Sequence, residues 1–251
     1  MTKIILSGCG GSMGRTVTAC AAAHPEDYEI VAGIDVKGGE GFTYPVFSHP
    51  REIDREADVL VDFSNSSLLP SLLEFGKQRK IPLVLCTTGY SPEQTTAIRE
   101  TSESIPVFTS GNMSIGVNLL IELAKQAAKV LGSDFDVEIV EMHHNRKLDA
   151  PSGTALMIAD GISEALGEKM RYVYDRHSRR QPREKTEIGI QSLRGGTVVG
   201  EHKVVFAGPQ EVVTISHSAQ SREIFATGAL HAAEFIQSRQ PGLYRMSDLL
   251  K

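Results

Sequence analysis

KIILSGCGGSMG, residues 3–14, is the stretch on which the fold turns. Residues 3–7 form a short apolar run that reads as a strand. They meet Gly8, Cys9, Gly10, Gly11, Ser12, Met13 and Gly14 with no spacer, and a helix is expected over residues 15–23, with Met13, Val17 and Ala21 along one stripe. Strand, glycine turn and helix start in this order build a cradle for phosphate. Glycines let a backbone approach a pyrophosphate, and N–H groups at the helix start point at it. The spacing is GxxGxxG over Gly8, Gly11 and Gly14, with Gly10 added. By itself it is also the spacing of an ordinary tight turn.

The surroundings favour the cradle. A second strand, residues 29–34, ends at Asp35, roughly 20 residues past the last glycine, where a carboxylate accepts hydrogen bonds from ribose hydroxyls. Asp35 favours NADH over NADPH, and Lys37 two residues on can offset that preference, so NADH and NADPH both stay open. Residues 37–45 are glycine-rich and read as a surface loop. Strands follow at 58–63, 82–86 and 106–109. They alternate with a helix introduced by Ser64, Asn65 and Ser66 and running to about Lys80, and with a helix opened by Ser91 and Pro92. Such alternation is that of an α/β, Rossmann-like, doubly wound parallel sheet, which binds ligands beyond the carboxyl ends of its strands. Thr87, Thr88, Asn112 and Met113 stand at those ends and are expected to face the crevice of the glycine loop.

Past residue 114 the pattern changes. A long amphipathic helix spans 115–131, a strand begins near 137, and a helix covers about 154–166. Strands are expected at 170–174, 186–193, 197–206 and 211–218, then a last helix over 222–239. This second part is an α+β domain on a mostly mixed or antiparallel sheet. The basic run SRRQPREK, residues 178–185, reads as a solvated loop, or alternatively as a loop that attracts an acidic substrate.

The densest chemistry lies in VEIVEMHHNRKLDAPSGTA, residues 137–155. Two imidazoles and two cations crowd the turn after a strand, and a helix start follows. Neighbouring side chains in extended structure point apart, so His143 and His144 do not pair on a metal, and no zinc-type spacing supports one. PSGT lacks the elbow of a serine hydrolase. An anion-holding, proton-transferring site fits better: histidine exchanges its proton near neutral pH, Lys147 holds a carboxylate, and Ser152, Gly153 and Thr154 offer donors at a helix start. A dinucleotide half joined to such a half reads as an NAD(P)-dependent oxidoreductase acting on a small dicarboxylate.

Composition excludes other classes. With 41% hydrophobic and 23% charged residues and a net charge of −5, nothing suggests nucleic acid or an anionic membrane as partner. No apolar run reaches the ~18 residues of a membrane span. Three cysteines without CxxC spacing suit free thiols in a reducing, cytoplasmic setting.

EMHHNRKLDAPSGTA, residues 141–155, closely resembles the signature of the 4-hydroxy-tetrahydrodipicolinate reductase (dihydrodipicolinate reductase) family. GCGGSMGR, the TTG after the fourth strand, SGNMSIGVN and SLRGGTVVGEH extend the resemblance along the whole chain. The resemblance implies a proton donor at His143, a catalytic lysine at Lys147, and substrate carboxylate contacts at His144, Gly153 and Thr154. It implies cofactor contacts at Gly8, Cys9, Gly10, Gly11, Ser12, Met13 and Asp35, at Cys86, Thr87 and Thr88, and at Ser110, Gly111, Asn112 and Met113. Cys86 stands where the family often has glycine, and Gly111 where it often has alanine or proline. Both contacts would be made largely by backbone. The resemblance further implies a dinucleotide-binding domain of residues 1–113 and 223–251, a substrate-binding and oligomerisation domain of residues 114–222, and a homotetramer built through the second sheet. Two rivals stand beside it. A dehydrogenase for another amino-acid-like substrate leaves the histidine stretch unexplained, and a catalytically silent nucleotide sensor would have no need of both His143 and Lys147.

Overall fold

A computed structural model describes residues 1–38 and 41–251. The chain divides into two compact units, Met1–Ile115 with Arg222–Lys251, and Gly116–Ser221. The first unit opens with β1 (Thr2–Ser7), α1 (Ser12–Ala23), β2 (Tyr28–Ile34) and β3 (Val46–Phe47). It continues through β4 (Val59–Asp62), α2 (Leu69–Arg79), β5 (Leu83–Leu85), α3 (Pro92–Ser102) and β6 (Pro106–Thr109). Of the loop expected at 37–45, Gly39 and Glu40 lie outside the described residues.

Three details depart from expectation for local reasons. Helix α1 starts at Ser12, not Arg15: Gly11 takes the N-cap position in extended geometry, and the Arg15 N–H already closes onto its carbonyl at 3.0 Å. Asn65 caps a single tight turn, Ser66–Leu68, and α2 begins only afterwards, with Pro70 in its first turn. β3 is too short to show any periodicity in sequence. Helix α3 follows expectation, since Ser91 and Gln94 form a reciprocal capping box behind Pro92.

The second unit holds α4 (Ile115–Leu131, whose first residue belongs to the first unit), β7 (Asp136–His143), α5 (Gly153–Leu166), β8 (Arg171–Val173), β9 (Glu187–Arg194), β10 (Gly200–Ala207) and β11 (Val212–Ala219). Its strand order is β11-β10-β7-β9-β8. The joins on the β11 side are antiparallel and those on the β8 side parallel, so the sheet is mixed. Leu120, Ala124, Ile158 and Ile162 of the helices pack on Val137, Ile139, Ile190, Val204 and Phe206, all buried on one sheet face. The opposite face carries Asp136 and Glu138.

The basic run is the solvated loop expected, exposed at every residue but the half-buried Arg183, and two of its cations are tied to the second sheet. Arg183 pairs with Asp136 and Glu138, and Lys185 reaches Asp136 at 3.4 Å. Arg176, just ahead of the run, binds Glu138 at 2.6 Å and the buried Glu187 at 2.9 Å. The acids that hold these cations sit on β7 and β9, distant in sequence, so composition gives the loop but not its ion pairs.

The chain then completes the first unit with α6 (Glu223–Ile236), β12 (Gly242–Tyr244) and α7 (Met246–Leu249). The helix expected over 222–239 is α6, which ends at Ile236, and the Arg239 guanidinium lies over the Phe235 ring at 4.1 Å. β12 pairs in parallel with β6, giving a seven-stranded sheet of order β12-β6-β5-β4-β1-β2-β3 whose pairings are all parallel. Helices α1 and α6 cover one face around Leu6, Val61 and Phe108, and α2 and α3 cover the other around Ile5, Leu60 and Leu83. Each such buried side chain stabilises the fold by roughly 1.5–3 kcal/mol. Among the described residues no helix is long and apolar enough to cross a membrane.

Candidate functional site

In the first unit the glycine loop joins β1 to α1. Gly8 adopts φ +76°, a conformation reserved in practice for glycine, and its N–H donates to the Ile34 carbonyl at 2.8 Å. A Cβ on Gly14 would stand 2.2 Å from the Gly8 carbonyl oxygen, so only glycine lets the helix start lie against the loop. Because α1 begins at Ser12, its first-turn N–H groups belong to the loop itself, as a phosphate site needs.

The Asp35 carboxylate closes the loop's outer edge, accepting from Gly10 N–H at 3.0 Å and Lys37 N–H at 2.9 Å. A cleft of about 840 Å³ is lined by Gly8, Gly10, Gly11, Arg15, Asp35 and Lys37. A second cleft, of about 340 Å³, is lined by Met13, Cys86, Thr87 and Thr88, and the two share Phe63, Ser64 and Asn65. These residues fit a dinucleotide: helix-start N–H groups for phosphate, a carboxylate for ribose, and a polar cleft beyond. Burial, then Asp35, pushes the Cys9 thiol up to about 11, and burial pushes Cys86 well up, so neither supplies a thiolate.

The loop after β6 is held by its own side chains. Ser110 Oγ accepts from Asn112 N–H at 3.1 Å, and Asn112 Oδ1 accepts from Ser114 N–H at 2.9 Å. Gly111 faces open space. Met113 departs from the expectation that it faces the crevice. Its side chain is buried in the first unit's core, and its carbonyl abuts Gly228 of α6, because an apolar side chain finds more contact there than beside the polar loop.

In the second unit β7 carries Val137, Ile139, Glu141 and His143 on its buried face, in strict alternation. Glu141 is fully buried. Its carboxylate accepts two bonds from Arg194, at 2.8 and 2.9 Å, and one from Ser152 N–H at 3.1 Å. The Nδ1 of His143 lies 2.6 Å away. Burial alone would raise this carboxyl, but hydrogen bonds from Arg194, Ser192 and His143 outweigh it and hold the group down at about 2. Burial lowers His143 below the usual imidazole range, with Glu141 pulling the other way.

His202 of β10 stands directly across from Glu141, with its ring against His143 at 5.2 Å and its Nε2 3.0 Å from Ser152 Oγ. Burial, then the charge on His143, pushes His202 down to about 4, so it is neutral near pH 7. Ser152 also caps α5, its Oγ accepting from Ala155 N–H at 3.1 Å. Gly153 and Thr154 are thereby the first two residues of the helix.

His144 follows the end of β7, and its carbonyl accepts from Lys147 N–H at 3.1 Å, turning the chain back. Lys147 Nζ lies 2.9 Å from Asp149 Oδ1 and holds that carboxyl below its usual range. Gly200 packs on the far edge of His143; a Cβ there would come within 3.0 Å of Nε2. Glu141, Arg194, His202 and Gly200 were not singled out from sequence. Glu141 lies two residues before His143 in a strand, so period-2 alternation alone puts the two on one face.

A family profile described as "Dihydrodipicolinate reductase, N-terminus" matches residues 2–113, and one described as "Dihydrodipicolinate reductase, C-terminus" matches residues 116–250. The chain is 54% identical over 251 residues to the 4-hydroxy-tetrahydrodipicolinate reductase of Caldanaerobacter subterraneus subsp. tengcongensis, covering 100% of this chain and 99% of that one. It is 48% identical over 252 residues to the enzyme of the same name from Clostridium tetani, covering 100% and 97%. Among solved structures it is similar to a dipicolinate-bound dihydrodipicolinate reductase from Paenisporosarcina sp. TG-14. The TM-score is 0.81 and the identity 25%, covering 98% of this chain and 97% of that one.

Proposed function

The chain belongs to the dihydrodipicolinate reductase family, and we propose that within it His143 is the proton donor and Lys147 the cation that holds substrate. The activity is the family's: NAD(P)H-dependent reduction of (2S,4S)-4-hydroxy-2,3,4,5-tetrahydrodipicolinate to tetrahydrodipicolinate with loss of water. One observation carries the assignment of roles. His143 ends β7 with Nδ1 engaged by a buried carboxylate, and its Nε2 edge is kept clear of any side chain at position 200.

In this reading the first unit binds the dinucleotide and the second the substrate. Backbone from Gly8 to Met13 and the start of α1 receive the pyrophosphate. Asp35 accepts from ribose hydroxyls, and Cys86, Thr87, Thr88, Ser110, Gly111 and Asn112 line the approach to the nicotinamide end. When bound, the reduced nicotinamide supplies the hydride. In the second unit a substrate carboxylate takes the place of Asp149 on Lys147 Nζ. The second carboxylate docks at the start of α5, on Gly153 and Thr154, with His144 beside it. His143 then delivers a proton from Nε2 to the electron-rich ring position that hydride addition at C4 creates.

Lys147→Ala tests the cation. Losing it should lower kcat about 100-fold or more, while the Kd for NADH stays within about twofold. Turnover near wild type would remove Lys147 from the mechanism. Asp35→Ala tests cofactor choice. The exchange loosens Gly10 for both cofactors alike but removes ribose binding and phosphate repulsion together. The ratio of kcat/KM for NADPH over NADH should therefore rise about tenfold or more, and an unchanged ratio would acquit Asp35. The whole reading stands on a direct assay: the purified enzyme, given freshly generated synthase product, must oxidise NADH, NADPH or both. Oxidation of neither would overturn it.

A homotetramer is part of the same proposal. The sheet face turned from α4 and α5 carries Val140, Met142 and Val205 beside the exposed Leu193 and Val212, an apolar surface suited to a second copy. The three cysteines are free, which suits a reducing cytoplasm.

A further inference from the structure

Donor chemistry needs more than a histidine in place: the imidazole must present the right nitrogen and hold its proton at working pH. Besides Ser192, four donor or ring atoms of the protein converge on the Glu141 carboxylate. Both terminal nitrogens of Arg194 and the Ser152 N–H donate to it, and His143 Nδ1 lies 2.6 Å from Oε2. Arg194 is itself anchored, donating to the carbonyls of Asp149 at 2.6 Å and Leu193 at 2.7 Å. The carboxylate therefore has one orientation. Being ionised, it can only accept, so the nitrogen facing it must carry the hydrogen. A buried ion pair of this kind adds little to fold stability over an apolar pair of the same volume, so its value lies elsewhere.

We propose that Glu141, locked by Arg194 and Ser152, is a positioning residue for the reduction: it fixes a hydrogen on Nδ1 of His143 and leaves Nε2 as the atom that gives up and regains the catalytic proton. The proposal rests on His143 being the donor. On delivery the Nε2–H bond breaks, the electron pair stays on Nε2, and the ring becomes neutral with its Nδ1 hydrogen still on Glu141. Solvent then reprotonates Nε2.

The charges around His143 show why the anion matters. Lys147 from the loop after β7 and Arg194 from β9 both disfavour the imidazolium, as does burial. From β10, His202 presents its neutral ring, and His217 of β11 lies directly across from His202. At the N-cap of α5 stands the uncharged Ser152. Asp149 is engaged by Lys147, leaving Glu141 as the anion bonded to the ring. Without its charge nothing bonded to the ring would oppose burial, Lys147 and Arg194, and the imidazole would hold its proton less well still.

Glu141→Gln keeps the shape and an acceptor oxygen but removes the charge. In the full-length enzyme we expect kcat at pH 8 to fall about 10- to 100-fold. The alkaline limb of the kcat profile should move to lower pH by about one unit, a tenfold change in proton affinity, with the Kd for NADH unchanged. Nitrogen-15 NMR of wild type should show neutral His143 with its hydrogen on Nδ1, and in the variant the ring should titrate at lower pH. A neutral wild-type ring with its single hydrogen on Nε2 would overturn the proposal, and that measurement needs no variant to fold. If His143→Gln is inactive while Glu141→Gln keeps wild-type kcat, pH limb and NMR titration, the positioning role falls and the donor assignment survives. If His143→Gln is active, the donor assignment itself falls.

Discussion

Replacing His143 by Gln is expected to lower kcat by about 10²- to 10⁴-fold, the range over which a positioned general acid contributes, and to leave the Kd for NADH within about twofold of wild type. The two readouts divide because the residue and the cofactor cradle belong to different units of the chain. Arg194 and Ser152 still donate to the buried Glu141 carboxylate, and glutamine is close to the imidazole in size and polarity. What it lacks is a proton that leaves at neutral pH. The fold should survive the exchange, and a thermal melt checks that the loss is chemical. Single-turnover kinetics with excess enzyme separates the chemical step from release. A variant that turns over near the wild-type rate would take the proton-donor role from His143.

Gly14→Ala should have a comparably large effect by another route. The new Cβ would meet the Gly8 carbonyl oxygen at 2.2 Å, the Cys9 Cα at 2.6 Å and the Cys9 carbonyl oxygen at 2.7 Å, all backbone atoms that cannot rotate away. Gly8 cannot retreat either, since its own N–H is tied to Ile34 and its Cα lies against Phe63. The loop must deform. A cost of about 3 kcal/mol would weaken NADH binding about 100-fold and lower Tm by roughly 6–12 °C. Isothermal titration and a thermal melt test the two separately. Gly111→Ala is the contrast, because a Cβ there meets nothing within 4 Å. It should bind NADH as wild type does, and equal behaviour of the two variants would show that the crowding at Gly14 is not what shapes the cradle.

The first unit was legible because its information is local. An apolar strand, glycines and a helix start lie within residues 3–23, and serine with proline marks α3 to the residue. Long amphipathic α4 was equally plain, its expected bounds of 115 and 131 matching the helix. Illegible were features made by distant partners. β3 and β12 span two and three residues and exist only because β2 and β6 offer open edges. The basic run gives no sign in its own sequence that acids on β7 and β9 await it. In β7 the polar–apolar pattern misleads: Glu141 looks like an outward residue among apolar neighbours, and its burial depends on Arg194, 53 positions on. His143 and His144 look alike by composition, and extended geometry sends them to opposite sides. A candidate site that breaks the binary pattern is where sequence reasoning is expected to fail.

The division of the chain has a consequence for how it is made. The second unit is one continuous segment and is complete once residue 221 has left the ribosome. The first unit, although begun earlier, is then still unfinished. One face of its sheet lacks α6, whose Ala226, Ala229, Leu230, Ala233 and Ile236 complete the core around Leu6, Val61 and Phe108, and β6 lacks its neighbour β12. During that interval a nascent chain carries an uncovered apolar sheet with an unpaired edge, the kind of surface that recruits other strands and chaperones. The unit that carries the glycine loop can therefore close only after the second unit, and after α6 and β12 have followed it out of the ribosome.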